Sequence, residues 1–271
     1  MDFDEQLKHL IDEALKEDIG DGDHSTLSVI GAEAKGKAVL KIKQDGILAG
    51  MEVAAKIFSY KETDSVFTAF KKDGDTMKFG EKAFEVESSV HTILQCERLV
   101  LNCMQRMSGI ATLTKEYTDK LKGSNTRLLD TRKTTPNFRL LEKEAVRIGG
   151  GVNHRFGLYD MIMLKDNHID YCGGIEKAID KAAEYVKTKK PGLKIEVETR
   201  SIEDVKRVFE KDYKNSILMQ KQWSAFLSRN KLKSELTFEQ IMEKIEVFLL
   251  PIFIKNENEY FWESEKWNLK N

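Results

Sequence analysis

Two patterns of hydrophobic and polar positions divide the chain. An amphipathic helix is predicted over 5–17, because Leu7, Ile11 and Leu15 repeat at helical spacing on one face. Residues 37–43 alternate between apolar residues and lysines, which is typical of a half-buried antiparallel strand. Together with a short helix at 51–58, further strands predict an α+β domain with a small antiparallel sheet. These strands are 66–70, 77–80 and 83–90.

A long helix over 93–121 is predicted next, with a break or kink near Ser108-Gly109. Short apolar strands then alternate with helices, which indicates parallel strands in a barrel or a doubly wound sheet. The predicted strands are 127–130, 161–164 and 193–199, and the predicted helices are 137–148, 174–187 and 202–209. The chain is therefore assigned to the α/β class.

Composition excludes several classes of function. The 271 residues carry a net charge of −1, so no basic field favours nucleic acid or a membrane surface. No apolar run approaches the ~18 residues of a membrane span, and the acidic start lacks the features of a signal peptide. Cys96, Cys103 and Cys172 are odd in number and lack metal-ligand spacing. They indicate free thiols and a cytoplasmic location.

The loop after the strand at 127–130 carries Thr131, Arg132 and Lys133. Loops at the carboxyl ends of parallel strands form the site in barrels and open sheets. Arg offers a planar fork of donors and Lys a point charge, which suits carboxylate or phosphate oxygens. The alternative is a solvated surface loop.

Three glycines, Gly149 to Gly151, lie shortly before His154 and Arg155. Glycine lets the backbone approach a ligand or another strand closely, and the two following side chains could bind an anion. The alternative for His154 is a structural histidine.

Lys165 ends the apolar strand 161–164, where a lysine must pair with an anion. The alternatives are an internal salt bridge to Glu196 or Glu198, or the same pair with a substrate anion added. The two glutamates alternate with apolar residues, so they share one face of a strand. They could bind ribose hydroxyls, hold Mg²⁺ through water, or stabilise a cationic transition state.

Several strings, in this order, resemble one family, quinolinate phosphoribosyltransferase, also called nicotinate-nucleotide pyrophosphorylase (carboxylating). The resemblance runs from about Leu7 to Phe209. The strings are Glu17-Asp18-Ile19-Gly20-Asp21-Gly22-Asp23-His24, Asp73-Gly74-Asp75, Glu97-Arg98, Met107-Ser108-Gly109-Ile110-Ala111-Thr112, Asp130-Thr131-Arg132-Lys133-Thr134-Thr135-Pro136, Gly149-Gly150-Gly151 through His154-Arg155, and Leu164-Lys165-Asp166-Asn167-His168.

The resemblance implies the fold and the reaction. An α+β open-sandwich domain with the long helix would occupy 1–108, and an incomplete α/β barrel carrying the anion site 109–210. The family converts quinolinate and phosphoribosyl pyrophosphate, with Mg²⁺, into nicotinate mononucleotide, pyrophosphate and CO₂. It works as a homodimer in which an arginine reaches the partner's site. Arg98 holds that position here, although alone it would be a surface charge on a helix.

The resemblance also implies roles for the candidate residues. Arg132, His154, Arg155 and Lys165 would bind the two carboxylates of quinolinate, beside Thr131. Lys133 would serve a substrate phosphate or carboxylate, and Glu198 with Glu196 would meet the ribose and the metal. The residues implied in catalysis are Lys133, Lys165 and Glu198.

The segment 211–271 departs from the family. No glycine follows Gly192, and the family's Leu-Asp-Asn strand end, Ser-Gly-Gly loop and glycine-rich phosphate turn are absent. A helical or disordered tail is predicted there, and the abrupt change favours a shifted reading frame over gradual divergence. Weak or absent activity is then expected. Two alternative functions stay open: a phosphoribosyltransferase acting on nicotinate, and a non-catalytic remnant that binds carboxylates or dimerises.

Overall fold

In the computed structural model of the protein, the described residues are 2–123, 127–210, 216–220 and 248–249. The chain forms two compact units. The first contains Met1–Asn125 and Lys133–Asn153, and the second contains Thr126–Arg132 and His154–Asn271. Across the described ranges, no helix has the length and apolar character needed to cross a membrane.

The first unit contains five helices and five strands among its described residues. The helices are α1 (Phe3–Ile19), α2 (His24–Val29), α3 (Met51–Lys61), α4 (Val90–Lys120) and α5 (Arg139–Ile148). The strands are β1 (Lys35–Lys41), β2 (Gly46–Ile47), β3 (Val66–Ala69), β4 (Thr76–Met77) and β5 (Lys82–Ser89). The antiparallel sheet β1-β5-β3 confirms the small sheet predicted from the alternating pattern, and β2 pairs with β4 beside it.

Helix α4 runs without interruption, so the break expected near Ser108 is wrong. The Ser108 hydroxyl donates to the Ala49 carbonyl (3.1 Å) and accepts the Ala49 N–H (3.0 Å). It therefore bonds to a neighbouring segment instead of competing for the backbone of its own helix. A Cβ at Gly109 would meet no atom within 4 Å, which shows that this glycine serves no close contact within the described part of the chain.

The three glycines pack closely against helix α4. A Cβ at Gly149 would lie 2.5 Å from the carbonyl oxygen of Ala111 on α4, and one at Gly151 would lie 3.1 Å from Thr114 on α4 and 2.6 Å from Val146 on α5. Gly150 has φ +90°, which favours glycine. The close approach predicted from these glycines exists, but its partner is α4.

The second unit is built on parallel strands. Its described elements are β6 (Arg127–Leu128), β7 (Ile162–Leu164), α6 (Asp166–Cys172), α7 (Ile175–Thr188), β8 (Ile195–Thr199), α8 (Ile202–Glu210), β9 (Ser216–Gln220) and β10 (Phe248–Leu249). The sheet order is β7-β8-β9, all parallel, and β6 pairs in parallel with β10. The alternation of strands and helices after residue 127 therefore predicted the strand direction correctly.

Two strands fall within 211–271. Ser216–Gln220 extends the sheet beside β8, and Phe248–Leu249 pairs with β6. For these residues the prediction of a helical or disordered tail is wrong. The rest of that segment lies outside the described residues.

Candidate active site

Strand β8 presents two carboxylates from one face. All five of its residues are buried. Ile195 and Val197 pack into an apolar cluster with Ile179 of α7, so the alternating Glu196 and Glu198 point to the other face. The shared face predicted from the sequence is therefore present, on the central strand of a parallel sheet.

Glu196 forms a buried pair with His154. The His154 Nε2 lies 2.6 Å from the Glu196 Oε2, and the two side chains are 10% and 2% exposed. An ionised carboxylate can only accept, so this hydrogen bond requires the proton on Nε2. The other oxygen, Oε1, is buried without a hydrogen-bond partner among the described residues. Glu196 thus contacts the His154 imidazole and has one oxygen without a partner among the described residues.

Arg155 lies buried beside another cation. Its guanidinium donates to the Met161 carbonyl (3.2 Å) and to the Met163 sulfur (3.4 Å). Burial, and next the positive charge of Arg132, lower the pKa of Arg155, whereas Glu196 acts in the opposite direction. A buried guanidinium group with a second, partly buried one nearby favours an anionic ligand.

Two aspartates that sequence reasoning did not select hold this segment. Asp130 Oδ1 accepts the backbone N–H of His154 (2.8 Å), which joins the end of β6 to the histidine. Asp160 accepts the N–H groups of Phe156 (2.6 Å) and Gly157 (2.9 Å) just after Arg155. Aspartate commonly accepts backbone N–H groups in turns in this way. The turn-forming tendency of aspartate was therefore the sequence signal that could have identified Asp130 and Asp160.

Lys165 is exposed, and within the described ranges it forms no ion pair with Glu196 or Glu198. The internal salt bridge considered for it is therefore not formed. The residue precedes α6, and its backbone N–H donates to Nδ1 of His168 (3.0 Å). Its side chain stays a candidate for a substrate anion.

The remaining predicted residues divide between the two units. Thr131 and Arg132 lie in the second unit and are partly buried. Lys133 and Arg98 lie in the first unit and are exposed, Lys133 after the loop and Arg98 on α4. Over the described stretches, no three His, Cys, Asp or Glu side chains are grouped to hold a metal ion.

Two family models match this chain. The N-terminal domain of quinolinate phosphoribosyl transferase matches residues 23–108, and its C-terminal domain matches residues 110–247. The second match extends beyond Phe209, where the resemblance recognised in the sequence ends.

Similar proteins carry consistent names. A chloroplastic nicotinate-nucleotide pyrophosphorylase [carboxylating] of Arabidopsis thaliana is 46% identical over 205 residues, which are 75% of this chain and 58% of that protein. Quinolinate phosphoribosyltransferase [decarboxylating] 1b of Nicotiana tabacum is 44% identical with the same coverage. The chain thus spans less than two thirds of these relatives' length.

A solved structure agrees with these matches. The crystal structure of NadC from Streptococcus pyogenes has a TM-score of 0.73 and 36% identity, covering 88% of this chain and 78% of that one. A family model over half of the chain and this fold similarity lead to one conclusion. The chain belongs to the quinolinate phosphoribosyl transferase family.

Proposed function

We propose that this chain transfers the phosphoribosyl group of phosphoribosyl pyrophosphate to quinolinate, with decarboxylation, giving nicotinate mononucleotide, pyrophosphate and CO₂. The observation that carries the proposal is the buried Arg155 beside Arg132, next to a His154–Glu196 pair. Quinolinate is a dianion, and guanidinium groups withdrawn from water suit its carboxylates better than they suit a neutral ring. The names of the relatives support the same reaction.

The proposed chemistry has two steps. The ring nitrogen forms a bond to the anomeric carbon while the bond from that carbon to pyrophosphate breaks. In the transition state the sugar carries positive charge, as in other glycosyl transfers, and the buried Glu198 carboxylate would stabilise this charge. The bond to the carboxylate beside the ring nitrogen then breaks, CO₂ leaves, and a proton replaces it. The positive ring nitrogen accommodates the electron pair left behind.

Mg²⁺ would accompany phosphoribosyl pyrophosphate in this reaction. When bound, such a cation would supply positive charge that stabilises the leaving pyrophosphate. The carboxylate oxygens of Glu198 would suit this hard cation. No three-carboxylate or similar cluster is present in the described part of the chain, so the substrate itself would supply most ligands.

Arg98 and Lys133 complete the proposal. Arg98 is exposed on α4, as required for a side chain that reaches the site of a second copy in a homodimer. Lys133 would bind a substrate phosphate or carboxylate, and Thr131 and Lys165 would contact the anion with Arg132. The free thiols Cys96, Cys103 and Cys172 agree with a cytoplasmic enzyme.

The test is a turnover assay of the whole chain with quinolinate, phosphoribosyl pyrophosphate and Mg²⁺, following nicotinate mononucleotide. Arg155→Lys keeps the charge and removes the planar fork, so we expect kcat/KM to fall at least about tenfold. Arg207→Lys is the matched control, because Arg207 is half-exposed on α8 and pairs with Glu176 and Glu203. Equal rates in both variants would contradict the role of Arg155.

The rate itself tests the C-terminal segment. Because no glycine follows Gly192 to free backbone amides for a phosphate, we expect turnover well below the ~10 s⁻¹ typical of enzymes. Turnover at the typical rate would contradict the expected loss of activity and would leave the proposed reaction unchanged. Quinolinate binding without product would instead favour the remnant that binds carboxylates, and turnover of nicotinate in place of quinolinate would favour the related transferase.

A further inference from the structure

A buried carboxylate in the first unit joins three segments of the chain. Glu142 on α5 has a side chain only 3% exposed. Its Oε1 accepts from Nε (2.9 Å) and Nη2 (2.7 Å) of Arg106 on α4. Thr135 donates its hydroxyl to the same oxygen (2.9 Å) and its backbone N–H to Oε2 (3.1 Å). All four hydrogen bonds lie within one compact unit.

The partners of Glu142 are also bonded to one another. The Nη2 of Arg106 donates to the Thr135 hydroxyl (3.0 Å), which in turn donates to Glu142. A buried carboxylate is tolerated only where opposite charge and hydrogen bonds compensate it, and removal of one partner leaves an uncompensated charge. The neighbouring Thr134 is bonded as well, since its hydroxyl accepts from Nε of Arg139 (3.0 Å). The Glu142–Arg106 network therefore holds Thr135, and Arg139 contacts Thr134 separately.

The segment held in this way follows the proposed anion-binding loop. Residues 131–138 contain no helix or strand. The backbone N–H of Thr135 donates to the Glu142 carboxylate on α5, so the position of the Thr135 backbone depends on Glu142. Lys133 lies two residues before it, and a lysine has many rotamers to restrict before it can bind an anion well.

We propose that Glu142 and Arg106 are positioning residues, which fix Thr135 and thereby the backbone that carries Lys133 two residues earlier. Neither residue needs to touch the substrate. The inference rests on the proposed function only for the role of Lys133. The ordering of the segment is a property of the free protein and can be measured without any ligand.

Hydrogen exchange of the full-length protein over 131–138 tests the ordering. In Glu142→Gln we expect exchange there to be at least about tenfold faster, because glutamine keeps only one, neutral, acceptor oxygen and turns an NH2 group towards a donor of Arg106 or Thr135. Glu144→Gln is the matched control. Glu144 lies on the same helix, and its carboxylate bonds to Arg147 and not to the loop. Thr135→Val is a second variant, which replaces the hydroxyl with a methyl group at an exposed position outside the core.

Three results would overturn the proposal. The first is unchanged exchange over 131–138 in both Glu142→Gln and Thr135→Val. The second is faster exchange spread evenly over the first unit, because that is the effect of a merely stabilising residue. The third is faster local exchange with unaltered affinity for inorganic pyrophosphate, measured by calorimetry with Mg²⁺. If the unaltered protein binds neither pyrophosphate nor quinolinate, the proposed function fails, and hydrogen exchange still decides whether Glu142 orders the segment.

Discussion

Nε2 of His154 and Oε2 of Glu196 lie 2.6 Å apart, in side chains that are almost completely buried. The sequence analysis grouped Glu196 with Glu198 as a residue for ribose and metal. Its contact with His154 supports another role, in which Glu196 orients the imidazole and fixes its tautomer, as carboxylates do for histidines in many sites. Glu198 is then the carboxylate of β8 left to meet the sugar.

Glu196→Gln distinguishes these roles. If Glu196 orients His154, we expect quinolinate to bind about tenfold more weakly, equal to roughly 1.4 kcal/mol, with the affinity for phosphoribosyl pyrophosphate nearly unchanged. Calorimetric titration of each ligand separately measures both affinities. Loss of phosphoribosyl pyrophosphate binding alone would restore the role predicted from the sequence. Glu203→Gln serves as control, since Glu203 is exposed on α8.

The sequence predicted that Glu196 and Glu198 share one face of β8, but it could not predict that His154 pairs with Glu196. Alternation in Ile195–Thr199 is a local pattern with a period of two, so the shared face of the two glutamates follows directly. The pairing of His154 with Glu196 joins residues 42 positions apart. It depends on the strand order and on the turn that Asp130 holds, neither of which has a periodic signal.

The helices illustrate the same limit. The apolar pattern located α4 correctly, but Ser108-Gly109 suggested a break because serine and glycine are poor helix formers. The Ser108 hydroxyl instead bonds to Ala49, far away in sequence. Tertiary contacts therefore overrode a local preference.

Substitution by alanine should change the free energy of unfolding in opposite directions at Gly149, which packs against α4, and at Gly109, which lies within α4. A Cβ at Gly149 would lie 2.5 Å from the Ala111 carbonyl and 2.6 Å from the Thr114 Cβ, so we expect Gly149→Ala to reduce the free energy of unfolding by about 1–3 kcal/mol. Gly109 lies inside α4 with open space around it. Gly109→Ala should raise stability by about 0.5–1 kcal/mol. Urea unfolding monitored by circular dichroism measures both, and an equal effect of the two substitutions would contradict the close approach of Gly149 to α4.

The Glu62 carboxylate should make the stability of the protein sensitive to acid. It accepts from Lys35 Nζ (2.8 Å) and from the hydroxyls of Ser89 (2.6 Å) and Ser88 (2.9 Å). The ammonium of Lys35, followed by Ser89, holds the pKa of Glu62 well below its usual range. A depressed pKa in the folded state stabilises the protein above the ordinary glutamate pKa of ~4.3, and this contribution is lost as the pH falls towards the folded value.

Glu62→Gln should accordingly be less stable than the unaltered protein at pH 7, and the difference should shrink between about pH 4.5 and pH 2. Unfolding by urea at several pH values gives the free energies. Glu13→Gln, at an exposed position of α1, should leave the pH dependence unchanged. A constant difference between Glu62→Gln and the unaltered protein across this range would show that the ionised carboxylate does not contribute.

The three thiols should differ in reactivity. Burial raises the pKa of Cys96 to about 11 and that of Cys103 to about 12, whereas Cys172 is partly exposed at the end of α6. Because the thiolate is the reactive form, at pH 8 roughly a thousandth of Cys96 or less is reactive, and burial also blocks access. We expect iodoacetamide to modify Cys172 first and the other two only after unfolding in guanidinium, as measured by peptide mass spectrometry. Cys172→Ser should then resist labelling in the folded state. Rapid modification of Cys103 in the folded protein would show that the core beneath α4 opens far more often than its packing implies.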